Sequence, residues 1–163
     1  MAGNNPKWQY IYIYIYISTI RPIATYAADT WTLTESDINY LMIFERLILR
    51  KIFGPVHERD VWRIRTNHEL NNLTGGANIV RFMEAQRLKC WGHLRRMEEY
   101  RIVRRIFEWS QMGKRSRGRP RNRWQDEVLK DIRLLGVKNW TKVVMDRSTW
   151  HDMVVKSKTH RVL

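Results

Sequence analysis

Cysteine is nearly missing from this sequence. Cys90 is the one cysteine among 163 residues, which excludes a disulfide framework and any zinc site built from several thiolates. A reducing compartment, nuclear or cytoplasmic, is therefore expected. No run of about 18 apolar residues occurs, so no membrane span is expected. The start lacks the basic, apolar and small-residue regions of a secretory signal, so a secreted protein is not expected. Catalytic patterns are missing as well. There is no Asp-Asp dipeptide and no glycine-rich phosphate loop, since Gly75-Gly76 stands alone. Nothing places a nucleophile beside a base and an orienting acid. Cys90-Trp91-Gly92-His93 has half of a zinc spacing, but no second pair follows, and His57, His68, His151 and His160 are scattered. Cys90 reads as a small core residue instead. No cofactor, no metal and no small-molecule substrate are expected, and the isolated chain is not expected to be an enzyme.

Acidic side chains are scarce beside basic ones. Lys and Arg total 30 against 16 Asp and Glu, a net charge of +14. The excess is uneven: residues 1–40 carry two basic and three acidic side chains, and residues 41–163 carry 28 and 13. Such a field attracts polyanions, of which nucleic acid is the commonest. With 44% hydrophobic and 12% aromatic residues, the chain also has enough apolar material for a core.

Tyr10 to Ile17 alternates Tyr and Ile without a break. An (AT) dinucleotide repeat in a gene translates as this peptide, so the segment reads as low-complexity sequence, β-prone or disordered. It is also an aggregation hazard where exposed.

The remainder has the period of helices. Thr34 or Ser36 can cap a helix running to Phe53, with Asp37 in its first turn, Arg50 and Lys51 in its last, and Gly54-Pro55 as its stop. Leu41, Phe44, Ile48 and Ile52 mark its apolar face. Asn67 is the expected cap of a short helix through Leu73. Ala77 to Met97 is amphipathic, with Ile79, Met83, Cys90, Leu94 and Met97 on one stripe and Trp91 at its edge. A short helix is expected over 99–109. Asn122 caps a further one carrying Trp124, Val128, Ile132 and Leu135, which Gly136 ends. Asn139 caps another, and a last helix starts near Ser148. No βαβ alternation occurs. The expected fold is all-α, a small bundle of about five to seven helices. Its expected divisions are a low-complexity N-terminus (1–20), a helical region (21–111), a basic linker (112–123) and a helical tail (124–163). Most of the eight tryptophans fall on apolar faces and read as core; Trp62 and Trp109 are the least settled.

Lys114 to Arg123 holds six basic residues in ten: Lys114, Arg115, Arg117, Arg119, Arg121 and Arg123. That density cannot pack without counter-charges, whereas arginine pairs with phosphate in bidentate fashion. Arg117-Gly118-Arg119-Pro120 resembles an AT-hook, which lies along the minor groove. A plain basic linker or nuclear-localisation tract accounts for the same residues. These six side chains, supported by Arg95 and Arg96, are the candidate contacts to RNA, DNA or their hybrid.

Six ordered blocks resemble a pattern found in the reverse transcriptases of non-LTR retrotransposons. Arg21-Pro22 through Tyr26 to Trp31 is similar to the R-P-x-x-x-Y-G-x-E-x-W segment that follows the palm of those enzymes, with Ala27 for the usual Gly and Asp29 for the usual Glu. Phe44-Glu45-Arg46 through Arg50-Lys51-Ile52-Phe53-Gly54-Pro55 is the second block. Trp62-Arg63-Ile64-Arg65-Thr66-Asn67 with Glu69-Leu70 is the third. Gln86-Arg87-Leu88, Trp91-Gly92-His93 and Arg96-Met97 make the fourth. Arg117-Gly118-Arg119-Pro120 with Arg123-Trp124 is the fifth. Gly136-Val137, Asn139-Trp140, Asp146-Arg147 and Trp150 close the series. The likeness covers roughly residues 19–157.

It implies a C-terminal, thumb-and-tail fragment that binds nucleic acid through phosphates. The endonuclease and the palm, whose carboxylate pair holds Mg2+ in the parent polymerase, are not in it. No matched residue carries a catalytic role. The alternatives are a relic with no selected activity, only partly folded because the surface its helices were built to cover is missing, and a DNA-binding module with an AT-hook-like loop.

Overall fold

A computed structural model describes residues 6–76, 78–109 and 123–158. The fold is all-α. Among the described residues the helices are joined by one two-stranded hairpin. Seven α-helices of seven residues or more occur there, with two four-residue turns, α2 and α8. The chain forms two compact units. One comprises Met1–Ala28 and Leu33–Met83, the other Asp29–Thr32 and Glu84–Leu163.

In the first unit, α1 (Pro6–Ile15) passes through a π-turn (Tyr16–Ile20) into α2 (Arg21–Ala24). The Tyr-Ile repeat is therefore helical, which corrects the β-prone or disordered expectation. The helix puts Ile13, Tyr16 and Ile20 on one side, where they pack with Leu49, Phe53 and Leu70. Burial against neighbours here overrides strand propensity. The π-turn precedes Pro22, which has no N–H to close on the carbonyl of Ser18. The Arg21 N–H donates instead to the Tyr16 carbonyl five residues back.

Helix α3 (Glu35–Phe53) starts at Thr34, whose hydroxyl accepts the Asp37 N–H while the Asp37 carboxylate accepts the Thr34 N–H. It ends at Gly54, whose φ of 65° and ψ of −179° suit glycine. Of the expected face, Leu41, Ile48 and Ile52 pack, partly buried, against the two clusters of this unit, and Phe44 does not. Glu45, Leu49 and Phe53 are buried, and Phe44 is exposed. Strands β1 (Val56–Glu58) and β2 (Val61–Arg63) then pair antiparallel. Arg59 and Asp60 turn between them, both at positive φ. Helix α4 (Asn67–Leu73) is capped by Thr66 with Glu69, not by Asn67. A second cluster joins Ala28, Ile79, Val80 and Met83 to Leu33, Ile38 and Leu41.

Helix α5 (Ile79–Arg96) gives its first residues to that unit and the rest to the second. Helices α6 (Ile102–Glu108), α7 (Trp124–Leu134), α8 (Trp140–Val143) and α9 (Arg147–Ser157) complete the second unit. Its core joins Ala85, Leu88 and Trp91 of α5 to Val128, Ile132, Val144, Trp150 and Val154. Residues on both sides of the expected 112–123 boundary thus share one core.

The α5 stripe is turned from the expected one. Trp91 is its centre rather than its edge, and Cys90 is half-buried. Trp91 meets Phe107, Trp124 and Trp140 at ring-centroid distances of 5.5, 6.0 and 5.7 Å. Trp62 and Trp109, the two unsettled tryptophans, are exposed. Asn139 stands before α8 at φ 54° with no side-chain cap bond. Asp146 caps α9, accepting the N–H groups of Ser148 and Thr149. The expected cap Asn122 lies outside the described residues.

Candidate nucleic-acid interface

Of the six basic loop residues, Lys114, Arg115, Arg117, Arg119 and Arg121 lie outside the described residues. Arg123 is described. It is exposed at the N-cap of α7, and its backbone N–H donates to the Asp126 carboxylate at 3.4 Å. The acids Asp126 and Glu127 fall in the first turn of α7, where the helix dipole favours negative charge.

The two supporting arginines are tied into the second unit. Arg96 donates to the Val144 carbonyl at 2.7 Å. Burial first, then the charge of Arg147, lowers its pKa. Arg95 lies 3.6 Å from a Glu108 carboxylate oxygen. Its guanidinium sits 5.8 Å above the Trp91 ring and 6.0 Å above that of Trp140. Both side chains hold the helices of this unit together. Exposed cations of the second unit include Arg101, Arg105, Lys130, Arg133, Lys142 and Arg147.

The second core also holds a polar framework. Arg87, buried on the apolar stripe of α5, donates through Nε and Nη2 to one oxygen of Asp131 on α7, at 2.9 and 2.6 Å. Burial pushes the Asp131 carboxyl up, and the Arg87 charge opposes that rise. The Trp150 indole donates to the Leu88 carbonyl at 3.0 Å. It lies so close to Gly92 that a Cβ there would stand 2.2 Å from Nε1. The Trp124 indole donates to the Asp29 carbonyl at 2.6 Å. The Asp29 side chain bonds the Cys90 thiol, and burial raises the pKa of that thiol.

The first unit has a framework of its own. Glu45, buried on α3, accepts from the Tyr16 hydroxyl at 2.7 Å and from the Ile79 backbone N–H at 2.9 Å. One carboxylate thus anchors the Tyr-Ile helix and caps α5. Arg63 on β2 makes a bidentate pair with Glu69 on α4 at 2.9 and 2.7 Å. Arg65 donates to the Gly54 carbonyl at 3.1 Å, and Arg50 to the Arg65 carbonyl and the Asn67 side chain at 3.2 and 2.6 Å.

Sequence reading missed the structural role of Glu45, Arg87 and Asp131, although a signal existed. Arg87 occupies the one seven-residue gap in the stripe expected for α5, between Met83 and Cys90. Asp131 falls three residues after Val128 on the apolar side of α7. Two opposite charges interrupting two apolar faces mark a buried pair.

Among the described residues no group of three or more His, Cys, Asp or Glu could hold a metal ion, and no helix is long and apolar enough to cross a membrane. Comparison with family models, with curated proteins and with solved structures finds no match for this chain.

Proposed function

We propose that this chain is a non-catalytic piece of a non-LTR retrotransposon reverse transcriptase, the region following the palm, and that it binds nucleic acid through phosphate contacts of its basic loop. One observation carries the reading. The residues of the retrotransposon-like blocks, far apart in sequence, bond to one another. The Arg50–Pro55 block is tied to Arg65 and Asn67 of the next block. The Arg21–Trp31 block meets the block of Trp124 through the Asp29 carbonyl. Trp150 meets the Gln86–Met97 block at Leu88 and Gly92. Residues shared with a family for the sake of a fold would have such partners. Ala27 adds support. It stands where the family pattern has Gly, and its φ is 55°, a conformation that favours glycine.

In this reading Lys114, Arg115, Arg117, Arg119, Arg121 and Arg123 supply the contacts to RNA, DNA or their hybrid. Arg95 and Arg96 support them by holding the helices that flank the loop. The carboxylates that bind Mg2+ belong to a palm, and this sequence has no Asp-Asp pair to offer them. Primer extension by the isolated chain is therefore expected to be nil. The test is fluorescence anisotropy of a labelled RNA/DNA hybrid titrated across a salt series. Affinity should fall steeply with salt, and replacing the six loop cations by Gln should flatten the slope by about five. An unchanged slope removes the loop from the contact.

A second reading is favoured by one specific feature. Tyr40, Ile43, Phe44 and Leu47 form an exposed apolar stripe on α3, as in a relic whose covering domain is missing. Hydrogen exchange separates the two: the nucleic-acid-binding reading requires cooperative protection through α3 and α5, and the relic reading requires fast exchange there.

A further inference from the structure

We propose that the Tyr10–Ile17 segment is a conformational switch which, released from helix α1, stacks in register with the same segment of other copies of this chain as β-strands. Its sequence and its structure pull in opposite directions. Eight residues alternate Tyr and Ile with no charge, proline or glycine. As a strand, the tyrosines of 10, 12, 14 and 16 line one face and the isoleucines of 11, 13, 15 and 17 the other. That is the composition of a dry, interdigitating β-stack.

The structure nevertheless holds the segment as helix, which β-branched and aromatic residues disfavour. A ten-residue helix is marginal on its own, and α1 has neither acid in its first turn nor base in its last. What holds it is tertiary: the packing of Ile13, Tyr16 and Ile20 and the bond from the Tyr16 hydroxyl to Glu45. The outer side is open, with Tyr10 75% and Tyr14 72% exposed.

The occupant of that surface is a second copy. In-register pairing of identical repeats sets tyrosine on tyrosine and isoleucine on isoleucine, and any other partner would need the same period. Lys7 and Arg21, the nearest charges, stand outside the repeat at either end and leave its centre unguarded.

The experiment incubates the full chain at micromolar concentration, with and without seeds of synthetic Tyr-Ile octapeptide fibrils, and follows thioflavin fluorescence and the amide I band. The wild-type chain should assemble after a lag that seeds shorten. Tyr16→Phe, which removes the bond to Glu45 but keeps the ring, should shorten the lag about fivefold, as expected for loss of one buried hydrogen bond. The double variant Tyr10→Glu with Tyr14→Lys adds a helix-supporting pair four residues apart and stacks like charges in the fibril. It should keep its far-ultraviolet helicity and stay thioflavin-silent. A wild-type chain that remains silent when seeded, a Tyr16→Phe lag equal to wild type, or a double variant that assembles at the wild-type rate each overturns the proposal.

Discussion

Removing the charge of Arg87 leaves Asp131 alone in a dry core. Arg87→Met should therefore cost about 3–5 kcal/mol, while Arg87→Met with Asp131→Leu should recover most of that loss. Urea denaturation midpoints measure both. Gly92 is a steric counterpart. An added methyl meets the Trp150 indole at 2.2 Å and must push it off the Leu88 carbonyl, so Gly92→Ala should cost about 2–4 kcal/mol. The glutamates respond to pH with opposite sign. Arg63 first, then the Thr66 N–H, holds Glu69 down at about 2. Its contribution is present above the usual glutamate range and lost as pH falls through about 2. Burial raises Glu45, so its contribution is full below the usual range and lost as pH rises through the raised value. Glu69→Gln should flatten the acid limb of stability against pH, and Glu45→Gln the fall on its other side. Neither role was legible residue by residue, because a carboxylate in a helix counts as solvent-facing until its partner on another element is known.

Helix α3 shows why the ends of an element were legible in full and its buried face only in part. Its start and stop were plain, since Thr34, Asp37 and Gly54 act through local backbone geometry. The same local logic, Thr66 three residues before Glu69, fixes α4 one residue earlier than its expected cap. The buried side of α3 depended on more. Leu41, Ile48 and Ile52 pack as their spacing suggests, but apolar residues occur around most of that helix, from Ile38 and Tyr40 to Ile52 and Phe53, so spacing alone does not set where the face ends. Glu45, bonded to Tyr16 and Ile79, decides it. Two outcomes follow for this element. Thr34→Ala should cost about 1 kcal/mol in thermal or urea unfolding. Tyr40→Lys and Leu47→Lys, on the exposed stripe, should change stability by no more than about 0.5 kcal/mol each. A larger loss in either lysine variant would mean that a second chain covers the stripe in solution.

The charge of the whole molecule is the one feature that sequence alone states in full, because a net of +14 does not depend on which residues meet. The run of six cations from Lys114 to Arg123 is a fact of the sequence in the same way, whereas what packs around Arg95 and Arg96 was not legible, because Val144 and Glu108 reach them only through the fold. A molecule of this charge that folds before it binds should be stabilised by its ligand through mass action. Duplex or hybrid oligonucleotide at about 100 times its Kd should raise the unfolding free energy by about 2.7 kcal/mol, read as a shift in melting temperature at low salt. Molar salt should abolish the shift, since phosphate contacts exchange with counterions. The six-Gln loop variant should lose most of the shift and keep its unliganded melting temperature, as the proposed role of these cations in binding rather than in folding requires. If that variant instead melts lower without ligand, the loop cations are paired within the protein, which counts against the loop as a phosphate contact.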